Sequence, residues 1–410
     1  MHAEDRYAVV SSDCHGGGQF SDYRDYLESQ YLDEYDQWAA AYDVPYDDLK
    51  PPLGERNWDT ARRERDMAAD GVAAEVIYPN TIPPFFPRAS LTYQPPPPNA
   101  GDAERRWAGL RAHNRWLVDF CAKTPGRRGG ICQVMVHDLY AAVAEVRWAR
   151  DAGLFGGVLM PGTPPGSGLP PLYDPYYDPL FAVCAELGLP LHMHGGGFNP
   201  PMGDTVEGPV IFMLEVTWWG NRNLAHLVVG GALERHPDLQ IVFTEQGTAW
   251  IPPELQRLDY FFARMRTAEG SQEYVWGQPV MAKLPLQPSE YFARQCHVGA
   301  SFIRPNEVTL RHQVGVDRIM WGTDYPHKEA TTPYTLEALR ASFAGVPYDE
   351  VAKMIGLNAL NLFDFDRDAV LAVAADIGPT AAAVDRPLMP GEIPAEAEKC
   401  PALVGFGGPQ

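Results

Sequence analysis

Eight short apolar runs, each followed by a longer segment of helical period, constrain this chain more than any other feature. They are YAVVSSD (7–13), AAEVIYP (73–79), GGICQVMV (129–136), GGVLMPG (156–162), LPLHMHG (189–195), QIVFTEQG (240–247), QCHVGAS (295–301) and RIMWGTD (318–324). Near-continuous apolar strands belong to a parallel sheet covered on both faces. Amphipathic stretches at 103–124, 138–154, 178–189, 208–237 and 306–316 supply the crossovers. Eight such units predict an α/β fold, a (β/α)8 TIM-like barrel over about residues 7–363, rather than a doubly wound sheet, whose first strand would open into a GxGxxG phosphate loop. The run DCHGGGQF has glycines without that spacing.

The 410 residues exceed a minimal barrel, and the surplus falls in three places. Residues 20–56 are aromatic and acidic, and residues 80–101 read NTIPPFFPRASLTYQPPPPNAG. Both read as long βα-loop insertions of the kind that builds a substrate pocket. Residues 364–410, rich in Ala and Pro, form a C-terminal extension that wraps the outside or packs on a second subunit. No clean linker interrupts the chain, so residues 1–410 are expected to make a single domain.

A formal charge of -20 disfavours nucleic acid and anionic membrane surfaces as partners. The six cysteines form no CxxC pair, which fits reduced thiols. The opening MHAEDRYAVV lacks a basic n-region and no stretch is long enough to span a bilayer, so the expectation is a cytoplasmic enzyme acting on a small molecule.

Residues i and i+2 of a strand point to the same side. Asp13 and His15 therefore share a face at the end of the first strand, and His192 and His194 share one at the end of the fifth. Glu245 ends the sixth strand, Asp324 ends the eighth, and His327 follows in the loop DYPH. Singly, each has an ordinary explanation: a hydrogen-bonded core histidine, a turn-capping aspartate, a glutamate paired with arginine. Together they put three carboxylates and up to four imidazoles at the C-terminal mouth, where barrel enzymes place their active sites. Burying that set without a cation costs several kcal/mol per unpaired charge, and a metal removes the cost. His297 has no paired donor nearby and reads as core, TWWGN (217–221) as helix packing, QPPPPNA as a rigid loop element, and Cys14 as turned away from the site.

These residues resemble the amidohydrolase superfamily, in particular the branch that contains aminocarboxymuconate-semialdehyde decarboxylase. SSDCH resembles its first-strand metal motif, LPLHMHGG its fifth-strand histidine motif, HPDLQIVFTEQGTAWIP its sixth-strand segment and WGTDYPH its eighth-strand aspartate motif. The resemblance implies a metal on Asp13, His15, His194 and Asp324. Two positions depart from the decarboxylases: Glu245 stands where they present a catalytic histidine, and His192 adds a second histidine on the fifth strand. The fourth run, GGVLMPG, offers neither the lysine nor the glutamate that bridges two metals in hydrolytic members.

The full set of Asp13, His15, His192, His194, Glu245, Asp324 and His327 is large enough for two ions, and mixed carboxylate and imidazole donors suit iron or manganese. The chain is similar in length and motifs to an amidohydrolase-fold non-heme diiron monooxygenase of platensimycin and platencin biosynthesis, which hydroxylates a diterpenoid acyl-thioester. That similarity implies two Fe ions, O2 as co-substrate, Glu245 and Asp324 as catalytic groups, and a bulky apolar substrate lined by Trp38, Phe85, Phe86, Tyr93, Trp218, Trp219 and Trp250. The alternative is a mononuclear Zn or Mn hydrolase or decarboxylase of the same family, with Asp324 or Glu245 as base; a non-catalytic metal-stabilised scaffold is a third reading. Barrel enzymes of this type often pair through loops and extensions, so a homodimer is expected.

Overall fold

A parallel strand covered on both faces buries its side chains, and each of the eight strands is buried along its whole length. The computed structural model describes residues 5–403 apart from 45–46, 89–90, 204, 302, 397–399 and 401. The strands are β1 (Val9–Gly16), β2 (Val72–Pro79), β3 (Arg128–Gln133), β4 (Gly157–Leu159), β5 (Leu191–His194), β6 (Ile241–Thr244), β7 (Cys296–Ser301) and β8 (Ile319–Gly322). They pair in parallel in chain order. The ends of β1 and β8 meet through Asp324 N–H to Asp13 O at 2.8 Å, His15 N–H to Tyr325 O at 2.6 Å and the Ser12 hydroxyl to Trp321 O at 2.7 Å. The result is a (β/α)8 barrel.

Helices Ala100–Ala122, Leu139–Asp151, Asp178–Leu187, Gly208–Val229 and Ile251–Thr267 ring the sheet, the first two capped by Asn99 and Asp138 accepting from the N–H three residues on. The stretch 208–237 is not one helix, since it breaks after Val229 and resumes at Ala232–Arg235. The stretch 306–316 holds only two single turns, Pro305–Val308 and Arg311–Val314.

Val10, Ala74, Ile131, Leu159, Val242 and Met320 cluster in the core with Phe363, Phe365, Val370 and Ala374. The last four come from the segment beyond β8 that includes helix Arg367–Ile377, so the C-terminal extension packs its apolar face on the barrel. Beside β2, Glu75 is clamped by Arg63 of helix Thr60–Ala69 at 2.7 Å and by Arg128 of β3 at 2.8 Å. Arg63 also donates to His15 O at 2.7 Å, tying this buried network to the end of β1. Among the described residues, no helix is long and apolar enough to cross a membrane.

Candidate metal centre

Alternation along β1 turns Asp13 and His15 to one side, and the end of β5 brings His194 opposite them. His15 Nε2 lies 3.4 Å from Asp13 Oδ1 and 3.1 Å from Asp324 Oδ1, while His194 Nε2 lies 3.9 Å from Asp13 Oδ1. All four side chains are buried. His15 Nδ1 faces Pro79 O at 3.4 Å and His194 Nδ1 faces Gly195 O at 2.9 Å. A carbonyl only accepts, so each Nδ1 carries the proton and each Nε2 presents its lone pair. The other oxygen of Asp13 receives the Ser301 hydroxyl.

Asp13 Oδ1, His15 Nε2, His194 Nε2 and both Asp324 oxygens have no hydrogen-bond partner. Buried polar atoms left in that state are costly, and five in one place fit a divalent cation held by two carboxylates and two imidazoles. Among the described residues two groupings have ligand spacing: Asp13, His15 and His194, and His15, Asp324 and His327. His15 belongs to both, and with its Nδ1 turned to Pro79 O only Nε2 is free, so the two groupings share one centre.

Asp324 and Glu245 both adopt left-handed backbone, with φ of 60° and 57°. Such conformations cost side-chain-bearing residues roughly 1–2 kcal/mol each and concentrate at functional sites. Burial pushes the Asp324 carboxyl up to about 7, against the pull of His327 and His15. Glu245 Oε2 lies 3.4 Å from His194 Nδ1, and its side chain is part exposed to the cavity.

His192 stands apart from this group. Its Nδ1 bonds the Tyr78 hydroxyl at 2.5 Å and its Nε2 bonds Gly156 O at 2.7 Å, leaving no nitrogen for a metal. His192 shares the face of His194 but lies deeper, because two residues along a strand descend about 7 Å into the barrel. There it stacks on Phe363, and burial pushes its pKa down to about 4. His327 borders the centre with its ring 4.4 Å from that of His15, and its Nδ1 bonds Asp48 Oδ2 at 2.7 Å. His297 bonds Gln240 at 3.0 Å, as expected of a core histidine.

A cavity of about 910 Å³ opens onto His15, His194, Glu245 and His327. The 20–56 insertion contributes Asp47 and Asp48, and the 80–101 insertion contributes Leu91, Thr92 and Tyr93. Of the seven aromatics expected as lining only Tyr93 is there, joined by Phe212. Trp38 and Phe85 pack in a cluster with Tyr35, Phe86 is core, Trp250 packs on Phe243, and Trp218 and Trp219 pack on each other; rings that find one another leave the cavity wall to smaller residues.

Four site residues were not singled out from the sequence. Asp48, one acid in an acidic stretch, gave no signal; Ser301, the last residue of its strand, and Tyr78, inward by alternation, were legible in principle. Asn199 lines the cavity with neither amide atom bonded.

A buried donor set of this kind at the mouth of a parallel barrel defines a class, the metal-dependent barrel enzymes. Within it the chain belongs to the amidohydrolase family, whose model matches residues 36–365. Among solved structures, it is similar to 5-carboxyvanillate decarboxylase from Sphingomonas paucimobilis, with a TM-score of 0.64 and 18% identity over 87% of this chain and 99% of that one. It is also similar to 2,6-dihydroxybenzoate decarboxylase from Rhizobium, at 0.60 and 19% over 86% and 98%. A third likeness, at 0.63 and 18% over 87% and 96%, is to the Novosphingobium aromaticivorans 5-carboxyvanillate decarboxylase complexed with manganese. None of the curated proteins matches the chain.

Proposed function

We propose that the protein is a single-metal enzyme, using Mn or Zn, that hydrolyses a small uncharged substrate without O2. The observation that carries this is the convergence of five unpartnered buried ligand atoms on one centre that shares one histidine nitrogen. Asp13, His15, His194 and Asp324 would hold the ion, which supplies Lewis-acid polarisation of a carbonyl and activation of water. Asp324, which has a second carboxylate oxygen without a protein partner, would take and return the proton of the attacking water. Asp48 fixes His327 at the cavity edge, and Asn199 offers an unspent amide to the substrate's polar group.

The cavity's charge supports an uncharged substrate. Lys328 is its one lysine or arginine among the described lining residues and is paired with Asp47 at 3.0 Å, while Glu245 and Glu329 add negative charge. Decarboxylation is the second reading, supported by the decarboxylases among the similar folds. The diiron monooxygenase reading needs a second set of ligands, and the engagement of both His192 nitrogens favours one ion over two. Metal analysis of pure protein with turnover assayed under nitrogen tests all three: one ion per chain and O2-independent release of an acid product is expected. Two irons with O2 consumption would sink the proposal, and CO2 release would move it to the second reading.

We further propose that the chain pairs with a second copy. Helix Gly208–Val229 exposes Val210, Ile211, Met213, Leu214 and Trp218 along its first half, the last three at 67%, 73% and 59%. Contiguous exposed apolar side chains on one helix mark an interaction surface, and this run suits one side of a dimer. The net charge of -20 argues against an anionic membrane as the occupant.

A further inference from the structure

Behind the wall of the catalytic cavity lies a second pocket of about 220 Å³, between the β4 loop at 163–171 and the helix Gly208–Val229. Consecutive residues divide the two spaces: Asn199 lines the catalytic cavity and Phe198 lines this pocket. Its polar wall includes Arg222, Asn223 and His226. Arg222 stands over the Trp219 ring at 5.0 Å and has no Asp or Glu in ion-pair reach among the described residues. One of its nitrogens lies 3.2 Å from His226 Nε2, and an imidazole brings no negative charge to pair with it. Asn223 is 3% exposed and its Nδ2 has no partner. Among the described residues no Asp or Glu lines the pocket, in a chain that carries 53 of them against 33 Lys and Arg.

A part-buried guanidinium without a carboxylate, beside a buried amide N–H without an acceptor, is a site short of negative charge and of acceptor oxygens. We propose that this pocket binds a small oxyanion, a carboxylate or a phosphate group, between Arg222 and Asn223. The site does not depend on which bond the metal centre cleaves.

Calorimetric titration of the metal-loaded enzyme with inorganic phosphate and, separately, with succinate tests the site in the parent, Arg222→Met and Asn223→Asp. Asn223→Asp is nearly isosteric and sets a carboxylate where the anion would sit. Both variants are expected to bind at least about tenfold more weakly than the parent, the loss of one charge-assisted hydrogen bond, with metal content unchanged. The tighter of the two probes identifies the oxyanion. Binding that persists unchanged in the variants reports the metal centre alone and overturns the proposal, as does failure of both probes to bind the parent. Should Arg222→Met not fold, Asn223→Asp decides the matter by itself.

Discussion

Asn199 shows what one side chain contributes when its partners are withheld. Its amide is 6% exposed, bonds nothing in the protein and lies on the wall of the catalytic cavity. A buried amide in that state is stabilised only when a ligand supplies a donor and an acceptor. Asn199→Ala is therefore expected to raise KM about tenfold with kcat within about threefold of the parent, the pattern of lost ground-state binding. Steady-state kinetics checks this; a fall in kcat at unchanged KM would instead place Asn199 in the chemistry. Asp13, His15 and His194 were legible at this scale because strand alternation and chain order alone bring them to one face. His192 was misjudged because alternation gives a side and not a depth, and Asp48 was missed because nothing in a solvated acidic run marks the residue that will turn inward.

Between elements, the Arg63–Glu75–Arg128 cluster links a helix, two strands and the backbone of His15. Burial alone would raise the Glu75 carboxyl, but the two guanidiniums outweigh it and hold the group down at about 2 against an ordinary 4.5. A depressed folded-state pKa contributes stability that is fully present above the unfolded value, near 4.5, and lost as pH falls towards 2; a shift of this size corresponds to about 3 kcal/mol. Glu75→Gln is expected to destabilise the fold by about 3–5 kcal/mol at pH 7, since two buried cations lose their counter-charge, and to flatten the loss of stability below pH 4.5. Urea unfolding at several pH values reads both effects, and parallel pH profiles for parent and variant would contradict the assignment. The eight strands themselves were predicted within a few residues because continuous apolar runs leave a parallel strand few other fates. The break at Gly230 and the short turns after β7 were not, because amphipathic period says little about where a helix must bend around a barrel.

At the scale of the whole molecule, the exposed half of helix Gly208–Val229 turns Val210, Ile211, Met213, Leu214 and Trp218 outward while its Phe212 reaches the cavity wall. Pairing over this surface predicts that Leu214→Glu, which sets a charge on the most exposed of those leucine and tryptophan positions, converts dimer to monomer. Light scattering after size exclusion measures it; a parent already monomeric at micromolar concentration would remove the pairing from consideration.

The segment carrying Phe363, Phe365, Val370 and Ala374 has its own consequence. These side chains join the barrel's inner layer beneath the stacked ring of His192, so the axis is stoppered at that end. Reactant and product share the mouth that the insertions frame, and a spent molecule that lingers there competes directly with the next one to arrive.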